Sequence, residues 1–429
     1  MKLSSFLRLS SKTTNPQANP SVVYNLYSLP SFDEGRKCEV LHGSEIQSNK
    51  FVVPDKCILF NKLNVRFKRI WRINNNDPNK IASTEFLPLV VDESIVDFHY
   101  CYYLLRSDQI TDYLTGQNTN TSGSHKRIDP ENFFDIEVSL PPLDEQKRIG
   151  EVLSNLDKKI DVNTEINHYL EAMAKQLYDY WFVQFDFPDA NGNPYKSSGG
   201  KMVWNDNLNR FVPDGWVDVL FKNICNVKRG ASPRPIDEFM DESHSGIPWV
   251  KISDATSSES PFLTIVKEHI IREGGKKSVA VTPGTLIVSN SASPGIPKFI
   301  EIDACVHDGW LILSGYKEYY RYYFYYVIHM IRYNLLHMAS GSIFKNLKTD
   351  YLKEYCCLNP VDSILQMYDD TIHPIMQKIL QTQRENESLT QERDLLLSML
   401  MTGQISIKQL NNDLPATFII IRKTSQYEE

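Results

Sequence analysis

Lysine, arginine and amide side chains are the residues of this sequence whose types and spacing could do chemistry, and that chemistry is hydrogen bonding to a polyanion. From Lys56 to Arg72 the chain has six basic residues and no acidic one. The acid-free stretch from Val219 to Ile236 carries four more basic residues. Lysine and arginine bind phosphates, and arginine and asparagine can form paired hydrogen bonds with base edges. Each stretch therefore predicts nucleic-acid contact, and the alternative for each is a solvated charged surface.

Polar turns accompany both stretches. In each half of the chain an apolar strand ends in a polar loop, and a Ser-Gly-Ser turn followed by basic residues comes later. Short turns offer free backbone amides to phosphates, and adjacent Lys and Arg supply charge. The predicted DNA-contacting residues are Asn61, Lys62, Arg66, Lys68, Arg69, Ser124, His125, Lys126, Arg127, Lys228, Arg229, Arg234, Asn290, Ser342, Lys345, Asn346 and Lys348.

Catalytic motifs are missing from the sequence. Adenine methyltransferases hold a flipped base with an Asn/Asp-Pro-Pro-aromatic loop, and the nearest match, Asn193-Pro194-Tyr195, has one proline and lies in a turn-rich segment. There is no GxxxxGK[ST] phosphate loop, and the seven cysteines form no CxxC pair. We therefore predict no catalytic residue, no metal site and no cofactor, and we expect the cysteines to be buried reduced thiols.

The elements that position these loops occur twice. Residues 53–61 resemble residues 282–290, and the aromatic segment 99–105 resembles 322–328. We predict two copies of one α/β domain, residues 1–142 and 219–360, with a linker at 184–218 and a C-terminal tail at 403–429. The aromatic run near residue 322 could be a base-stacking platform, but a repeated helix packed on a sheet is the simpler interpretation.

Each copy is followed by a heptad pattern, at residues 143–183 and 361–402. The first has its seam at Ile149, Leu153, Leu156, Ile160, Asn163, Asn167, Leu170, Ala174, Leu177 and Trp181. The same pattern recurs 219 residues later at Tyr368, Ile372, Ile375, Ile379, Thr382, Asn386, Leu389, Arg393, Leu396 and Leu400. Both seams are polar at the same central steps, so Asn163, Asn167, Thr382 and Asn386 are predicted to fix the register of an antiparallel coiled coil.

These elements define the predicted fold class. It is α/β (α+β), with two repeated domains separated by two long antiparallel helices in a pseudo-two-fold arrangement. One pairing is poor, Leu156 against Arg393, and it requires the Arg guanidinium to reach water.

Length and composition fit such a protein. A chain of 429 residues exceeds what one core supports, and 41% apolar with 23% charged residues is ordinary for a folded globular protein. The net charge of -7 at first argues against nucleic acid, but the clustering of basic residues matters more than the sum. No stretch is apolar for long enough to span a bilayer, so we predict a cytoplasmic protein.

The amino-acid sequence around the first heptad pattern resembles that of a known family. Leu140-Pro141-Pro142-Leu143-Asp144-Glu145-Gln146 runs into residues 147–160, and this text with residues 193–203 resembles the central conserved region of type I restriction-modification specificity subunits. The resemblance extends over nearly the whole chain, although the distal helix begins with Asn359-Pro360-Val361 in place of the Pro-Pro-Leu motif.

The resemblance implies partners and a function. It implies a non-catalytic subunit that reads an interrupted double-stranded DNA site, half with each domain. It also implies docking of two adenine methyltransferase subunits on the helices, with or without two ATP-driven restriction subunits. Tyr180, Trp181 and Phe182 are predicted anchors for the methyltransferase, although Trp181 could equally be coiled-coil core.

Two alternatives come from other classes of protein. One is the recognition part of a fused methyltransferase or nuclease, and the other is a coiled-coil scaffold that does not bind DNA. The sequence leaves open the target site, its spacer length, the presence of restriction subunits and which loop residues read bases.

Overall fold

The computed structural model describes residues 1–116, 127–338 and 347–406, with backbone only for 335–338. The chain forms two compact units. The first unit contains Met1–Val162 and the chain from Asn386 onward, and the second contains Asn163–Glu385.

The first unit contains two β-sheets and a set of helices. Its strands are β1 (Leu7–Leu9), β2 (Thr13–Thr14), β3 (Val23–Tyr27), β4 (Glu39–His42), β5 (Lys50–Val52), β6 (Lys56–Asn61), β7 (Ile70–Asn74), β8 (Lys80–Ala82) and β9 (Phe86–Val91). The helices that begin in this unit are α1 (Leu29–Asp33), α2 (Phe98–Arg106), α3 (Asp108–Gly116), α4 (Pro130–Phe134) and α5 (Leu143–Tyr178). The sheets have the strand orders β1-β9-β6-β7 and β2-β5-β8-β3-β4.

The second unit repeats this architecture. Its strands are β10 (Met202–Asn205), β11 (Arg210–Pro213), β12 (Val217–Leu220), β13 (Asn226–Arg229), β14 (Ile247–Val250), β15 (Phe262–Leu263), β16 (Glu268–Ile270), β17 (Val279–Val281), β18 (Thr285–Ser289), β19 (Pro297–Ile300), β20 (Ala304–Val306), β21 (Trp310–Ser314) and β22 (Cys356–Asn359). The remaining helices are α6 (Ile252–Thr256), α7 (Arg272–Gly275), α8 (Arg321–Met338), α9 (Thr349–Lys353) and α10 (Asp362–Met401).

The two copies have the same strand connectivity. The order β1-β9-β6-β7 corresponds to β13-β21-β18-β19, to which β15 is added, and β5-β8-β3-β4 corresponds to β17-β20-β14-β16. The parallel strand pair of the second sheet is also duplicated, as β3 with β8 and β14 with β20. The predicted duplication of one domain is therefore confirmed at the level of topology.

An aromatic helix packs on the sheet β1-β9-β6-β7 in the first copy and on the corresponding sheet in the second. In α8, Tyr322, Tyr323, Phe324, Tyr325 and Tyr326 are all buried, as are most residues of α2. Burying each such ring is worth about 2 kcal/mol relative to leaving it in water. The aromatic run is thus core, and the base-stacking alternative is wrong for these residues.

The start of α5 is fitted closely to the start of α2. The side chain of Gln146 accepts a hydrogen bond from the backbone N of Asp97 at 2.9 Å and donates to the carbonyl of Pro141 at 2.9 Å. A Cβ at position 150 would stand 2.8 Å from Tyr100 N. Gly150 therefore permits a close approach that a larger residue would prevent.

The heptad positions face the cores, as the pattern predicts. Leu153 and Leu156 of α5 are buried with Leu396 of α10 in the first unit, and Ala174 is buried with Ile379 in the second. The two helices run antiparallel, since the start of α5 packs with the end of α10 and the end of α5 packs with the start of α10. Packing of these apolar faces supplies most of the stability of both helices, because intrinsic helix propensity contributes little in comparison.

Two expectations about these segments need correction. Arg393 does not reach water, because its guanidinium is buried and pairs with Asp157 at 2.8 Å. The segment 184–218 is more than a linker, because it folds into the β10–β11 hairpin and buries Phe187 against Trp216 at a centroid distance of 5.1 Å. Its Gly, Pro and Asn residues form the turns, but its aromatic residues supply core.

Candidate nucleic-acid interface

The loop between β6 and β7 presents an exposed aromatic ring between two arginines. The loop folds as a 3-10 turn, Val65–Phe67, between Asn64 and Lys68, which have positive φ angles of 53° and 48°. Phe67 is 52% exposed. The guanidinium carbons of Arg66 and Arg69 lie 4.9 and 4.8 Å from the centre of its ring. Both arginines were predicted from the sequence and Phe67 was not, although an aromatic residue inside an acid-free basic stretch is a usable signal.

One backbone hydrogen bond in each copy joins the strand-end loop to the segment that follows the Ser-Gly-Ser sequence. In the first copy Ile128 N donates to Lys62 O at 3.0 Å, and in the second Leu347 N donates to Asn290 O at 2.7 Å. The sequence predicted that the strand-end loop and this later segment serve one surface. The two bonds place the chain immediately after residues 126 and 346 at the strand-end loops.

Ion pairs engage three of the five predicted DNA-contacting lysines and arginines that the structure describes in the first copy. Arg69 is bidentate to Asp33, with both distances at 2.7 Å, and Lys68 lies 2.5 Å from Asp108. Arg127 is similarly held by Glu85 at 2.6 Å.

Two of the predicted basic residues of the first copy have no acidic partner among the described residues. Among the residues that the structure describes, Lys62 and Arg66 have no ion-pair partner. Their charges are the ones most available to an anionic ligand.

Asp308 contacts two of the predicted basic residues of the second copy. Arg229 donates to its carbonyl at 2.6 Å, and Arg234 lies 3.5 Å from its carboxylate. Ser232 Oγ donates to the same carboxylate at 2.7 Å. The Ser232 hydrogen bond, followed by the charge of Arg229, keeps the pKa of Asp308 below its usual value. Asp308 therefore stays ionised and orients both guanidinium groups.

A cleft of about 810 Å³ opens beside these arginines. Arg234, Lys251 and His307 bring donors to its wall, and Trp249 and Ile252 bring apolar surface. Burial is the main cause that lowers the pKa of His307, so the ring is neutral at pH 7. Its Nδ1 accepts a hydrogen bond from Gly309 N at 2.8 Å, which leaves Nε2 as a donor. The mixture of donors and apolar surface suits an edge of a base.

Further basic residues of the second copy are open to solvent. Lys228 and Lys348 are exposed and form no ion pair within the described ranges. Ser124, His125, Lys126, Ser342, Lys345 and Asn346, which the sequence also selected, lie outside the described residues.

Asn61 and Asn290 are corrections to the predicted site. Asn61 is 1% exposed, and its side-chain oxygen accepts a hydrogen bond from Leu63 N at 2.8 Å. Asn290 is 7% exposed, and its amide donates to the carbonyl of Asp308 at 3.3 Å. Both amides are used to shape the end of a buried strand, which is a common role of asparagine in turns. They are not available to base edges.

Of the three predicted partner anchors, two are buried and one is exposed. Trp181 and Phe182 are buried, and the Phe182 ring lies 4.7 Å from that of Tyr368. Both are core residues of the second unit, so their selection as partner anchors is wrong. Tyr180 is 38% exposed and remains available.

An exposed apolar stripe on α5 was missed. It consists of Ile166, Tyr169 and Met173 on α5 and of Tyr180 and Val183 in the π-helical turn Asp179–Val183 that continues it, each at least 37% exposed. The spacing of three and four residues keeps the first three on one side of α5. The core seam dominated the sequence pattern, which hid this second apolar stripe beside it. Isolated exposed apolar residues are ordinary, but a contiguous stripe marks an interaction surface.

The polar seam residues lie inside the helical pair. In the second unit, Asn163 Nδ2 donates to Glu385 Oε2 at 3.1 Å and Asn167 Nδ2 donates to Ile379 O at 3.2 Å. In the first unit, Asn386 Nδ2 donates to Ile160 O at 3.2 Å. Thr382 is buried.

Nothing typical of a metal centre occurs in the part of the chain that the structure describes. Within residues 1–116, 127–338 and 347–406, no three His, Cys, Asp or Glu side chains cluster in a way that could hold a metal ion. The seven cysteines are unpaired, and five of them are buried. In the same part of the chain no helix is long and apolar enough to cross a membrane.

The chain is similar to proteins of one known family. Residues 3–172 match the family model of the type I restriction modification DNA specificity domain. The chain is 21% identical to the type I restriction enzyme MjaIX specificity subunit of Methanocaldococcus jannaschii, over 77% of this chain and 74% of the relative. It is also 21% identical to the HindI specificity subunit of Haemophilus influenzae, over 86% of this chain and 91% of the relative.

A solved structure has a related fold. It is the S subunit of a type I restriction-modification system from M. genitalium, with a TM-score of 0.56 and 14% identity. The match covers 93% of this chain and 95% of that one.

Proposed function

Because this chain is a type I restriction-modification specificity subunit, we propose that it reads an interrupted double-stranded DNA site, half with each of its two domains. One observation carries the proposal: the DNA specificity domain matched at residues 3–172 has a strand order that recurs in the second copy. Two readers of the same topology would read two half-sites. DNA as the ligand would place the protein in the cytoplasm.

The available cations divide the work of binding. Lys62, Arg66, Lys228 and Lys348, which lack ion pairs among the described residues, suit phosphates and would supply much of the affinity. Arg234, which lies beside the cleft 3.5 Å from the Asp308 carboxylate, suits a base edge because a guanidinium can form paired hydrogen bonds. Ser124, His125, Lys126, Ser342, Lys345 and Asn346 remain proposed contacts.

We also propose that the apolar stripe on α5 docks a methyltransferase subunit. Tyr169 is 71% exposed and Met173 is 46% exposed, so this surface costs free energy in water and favours a partner. Aromatic residues usually dominate such contacts. The chain itself would be non-catalytic, with two methyltransferase subunits and, in a full system, ATP-driven restriction subunits supplying the chemistry.

The docking surface can be tested by charge. Tyr169→Asp should reduce recovery of the methyltransferase in a co-purification by tenfold or more, because an aspartate would have to be buried without a partner. His168→Asp is the matched control, since His168 is exposed on the same helix and lies outside the stripe. Equal recovery with both variants would remove the stripe as the docking surface.

The two-reader mechanism can be tested by domain exchange. Residues 219–360 are replaced with the matching domain of a related subunit, and methylated sites are mapped across the genome. One half of the methylated site should change and the other should stay. A change in both halves, or in neither, would contradict the proposal, and a chain that shows no salt-dependent DNA binding would favour the scaffold alternative.

A further inference from the structure

Phe67 is held on the surface of the first copy by the loop around it. Val65 is buried beneath the turn, and backbone hydrogen bonds from Phe67 N to Asn64 O at 3.1 Å and from Lys68 N to Val65 O at 2.9 Å close it. Asn64 and Lys68 both adopt left-handed backbone conformations, which are uncommon outside glycine. A loop closed in this way holds the aromatic side chain outward in spite of the hydrophobic cost.

The flanking arginines do different things. Arg69 is fixed by its bidentate ion pair with Asp33, and its guanidinium lies against the Phe67 ring. Arg66 also stacks on that ring, but it has no ion pair among the described residues. One arginine therefore holds the ring in place, and the other carries a charge that can reach a phosphate next to it.

We propose that Phe67 is a wedge that inserts at a base-pair step of the half-site read by the first domain. Phenylalanine is one of the residues that proteins insert between base pairs, and insertion partly unstacks the step and kinks the duplex. Arg66 would bind the backbone phosphate beside the step. This inference rests on the proposed DNA-reading function and adds a deformation of DNA to it.

The second copy supplies an internal comparison. Its loop between β18 and β19 has Ala292 in the left-handed conformation, and Gly295 N donates to Ser289 O at 2.7 Å. Residues 290–296 contain no aromatic side chain. Only the first half-site is therefore expected to be unstacked by this loop.

The experiment uses the full chain, with its methyltransferase subunit, on duplexes that carry the mapped site. 2-Aminopurine, a base that fluoresces when unstacked, replaces one base at a time in both half-sites, except at the target adenines, which the methyltransferase would itself flip out of the stack. Binding should raise the fluorescence at one step of the first half-site and leave the second half-site unchanged. Phe67→Ala should abolish the rise and weaken binding roughly tenfold to hundredfold, which is the usual effect of losing one stacked aromatic.

Two further variants keep the test sharp. Phe67→Trp should retain the rise, because it keeps a stacking face. Phe211→Ala removes an aromatic side chain that is 58% exposed in the β10–β11 hairpin, and it should leave the rise unchanged. Since Phe67 is half exposed, its replacement should not alter thermal unfolding.

The outcomes separate the wedge from the function on which it rests. If Phe67→Ala weakens DNA binding but no position fluoresces in the native complex, the ring contacts a base without unstacking and the wedge is wrong. The same holds if the variant binds DNA normally, or loses the methyltransferase instead. Absence of salt-dependent DNA binding by the native chain would instead reject the proposed function itself.

Discussion

Arg393 and Asp157 form a buried ion pair in the first unit, with 2.8 Å between Nη1 and Oδ1. Tyr103 OH donates to the same carboxylate, and Arg106 lies 3.6 Å from it. At the offset of 219 residues that relates the two seams, the second unit has Ala174 and Met376 at the positions that correspond to Arg393 and Asp157, and both are buried. The same buried position of the helical pair is therefore occupied by an ion pair in the first unit and by two apolar side chains in the second.

Breaking this ion pair should destabilise the protein more than replacing it. Arg393→Ala leaves the Asp157 carboxylate buried without its main partner and should lower the free energy of unfolding by about 3 to 5 kcal/mol. The double variant Asp157→Met with Arg393→Ala copies the second unit and should recover at least half of that loss. Urea unfolding measures both, and equal losses in the single and double variants would contradict the argument.

The polar seam predicts a gain in stability from a small change. Thr382 is 1% exposed, and its hydroxyl finds no hydrogen-bond partner among the described residues. Thr382→Val keeps the shape and removes the buried hydroxyl, so the free energy of unfolding should rise by about 1 kcal/mol. Thr371→Val is the control, because Thr371 is exposed and its hydroxyl donates to Met367 O at 2.7 Å. Chemical unfolding of the three proteins decides, and a loss of stability in Thr382→Val would indicate a bound water that the hydroxyl needs.

His329 predicts a pH dependence. Burial, followed by the charges of Arg332, Lys298 and Lys175, lowers its pKa to about 4. Below pH 6.5 His329 is protonated in the unfolded chain but stays neutral in the folded chain. The free energy of unfolding therefore decreases as the pH falls from 6.5 towards 4. At pH 5 the loss should be about 2 kcal/mol.

A pair of variants isolates this effect. His329→Gln should lose less stability than the native chain between pH 7.5 and pH 5, by about that amount. His168→Gln, in which the replaced histidine is exposed, should behave like the native chain. Urea unfolding at both pH values gives the comparison, and an unchanged pH dependence in His329→Gln would show that the ring is protonated in the fold.

The sequence predicted the architecture well because it is carried by repeated patterns. The two helices begin and end within about one to five residues of the predicted bounds, and the duplicated text corresponds to duplicated strands. Both patterns are visible in the sequence alone, because heptads and repeats are regularities along the chain. The contact between Arg393 and Asp157 could not be predicted in this way, because it depends on which side chains meet across two helices.

The site was predicted less well for a related reason. A basic residue in a sequence carries no sign of its partner, and Arg69 and Arg127 meet acids 36 and 42 residues away. Asparagine in a turn can serve a ligand or the turn itself, and Asn61 serves the turn. Trp181 and Phe182 fit an interface by composition, but the fold places both in the core.

The charge arrangement of β6 gives the last prediction. Lys56 begins this strand and is held by Glu93 at 2.6 Å, whereas Lys62 follows its end and has no ion pair within the described part of the chain. Binding of Lys62 to a phosphate would release counterions from the DNA, so Lys62→Gln should weaken binding to all sequences alike and reduce the slope of log affinity against log salt by about 1. Lys56→Gln removes the same charge from the other end of the same strand and should leave the slope unchanged, because Glu93 already neutralises it. Fluorescence anisotropy over a range of salt concentrations measures both slopes. Equal slopes for the two variants would mean that net charge, and not the position of Lys62, sets the electrostatic part of binding.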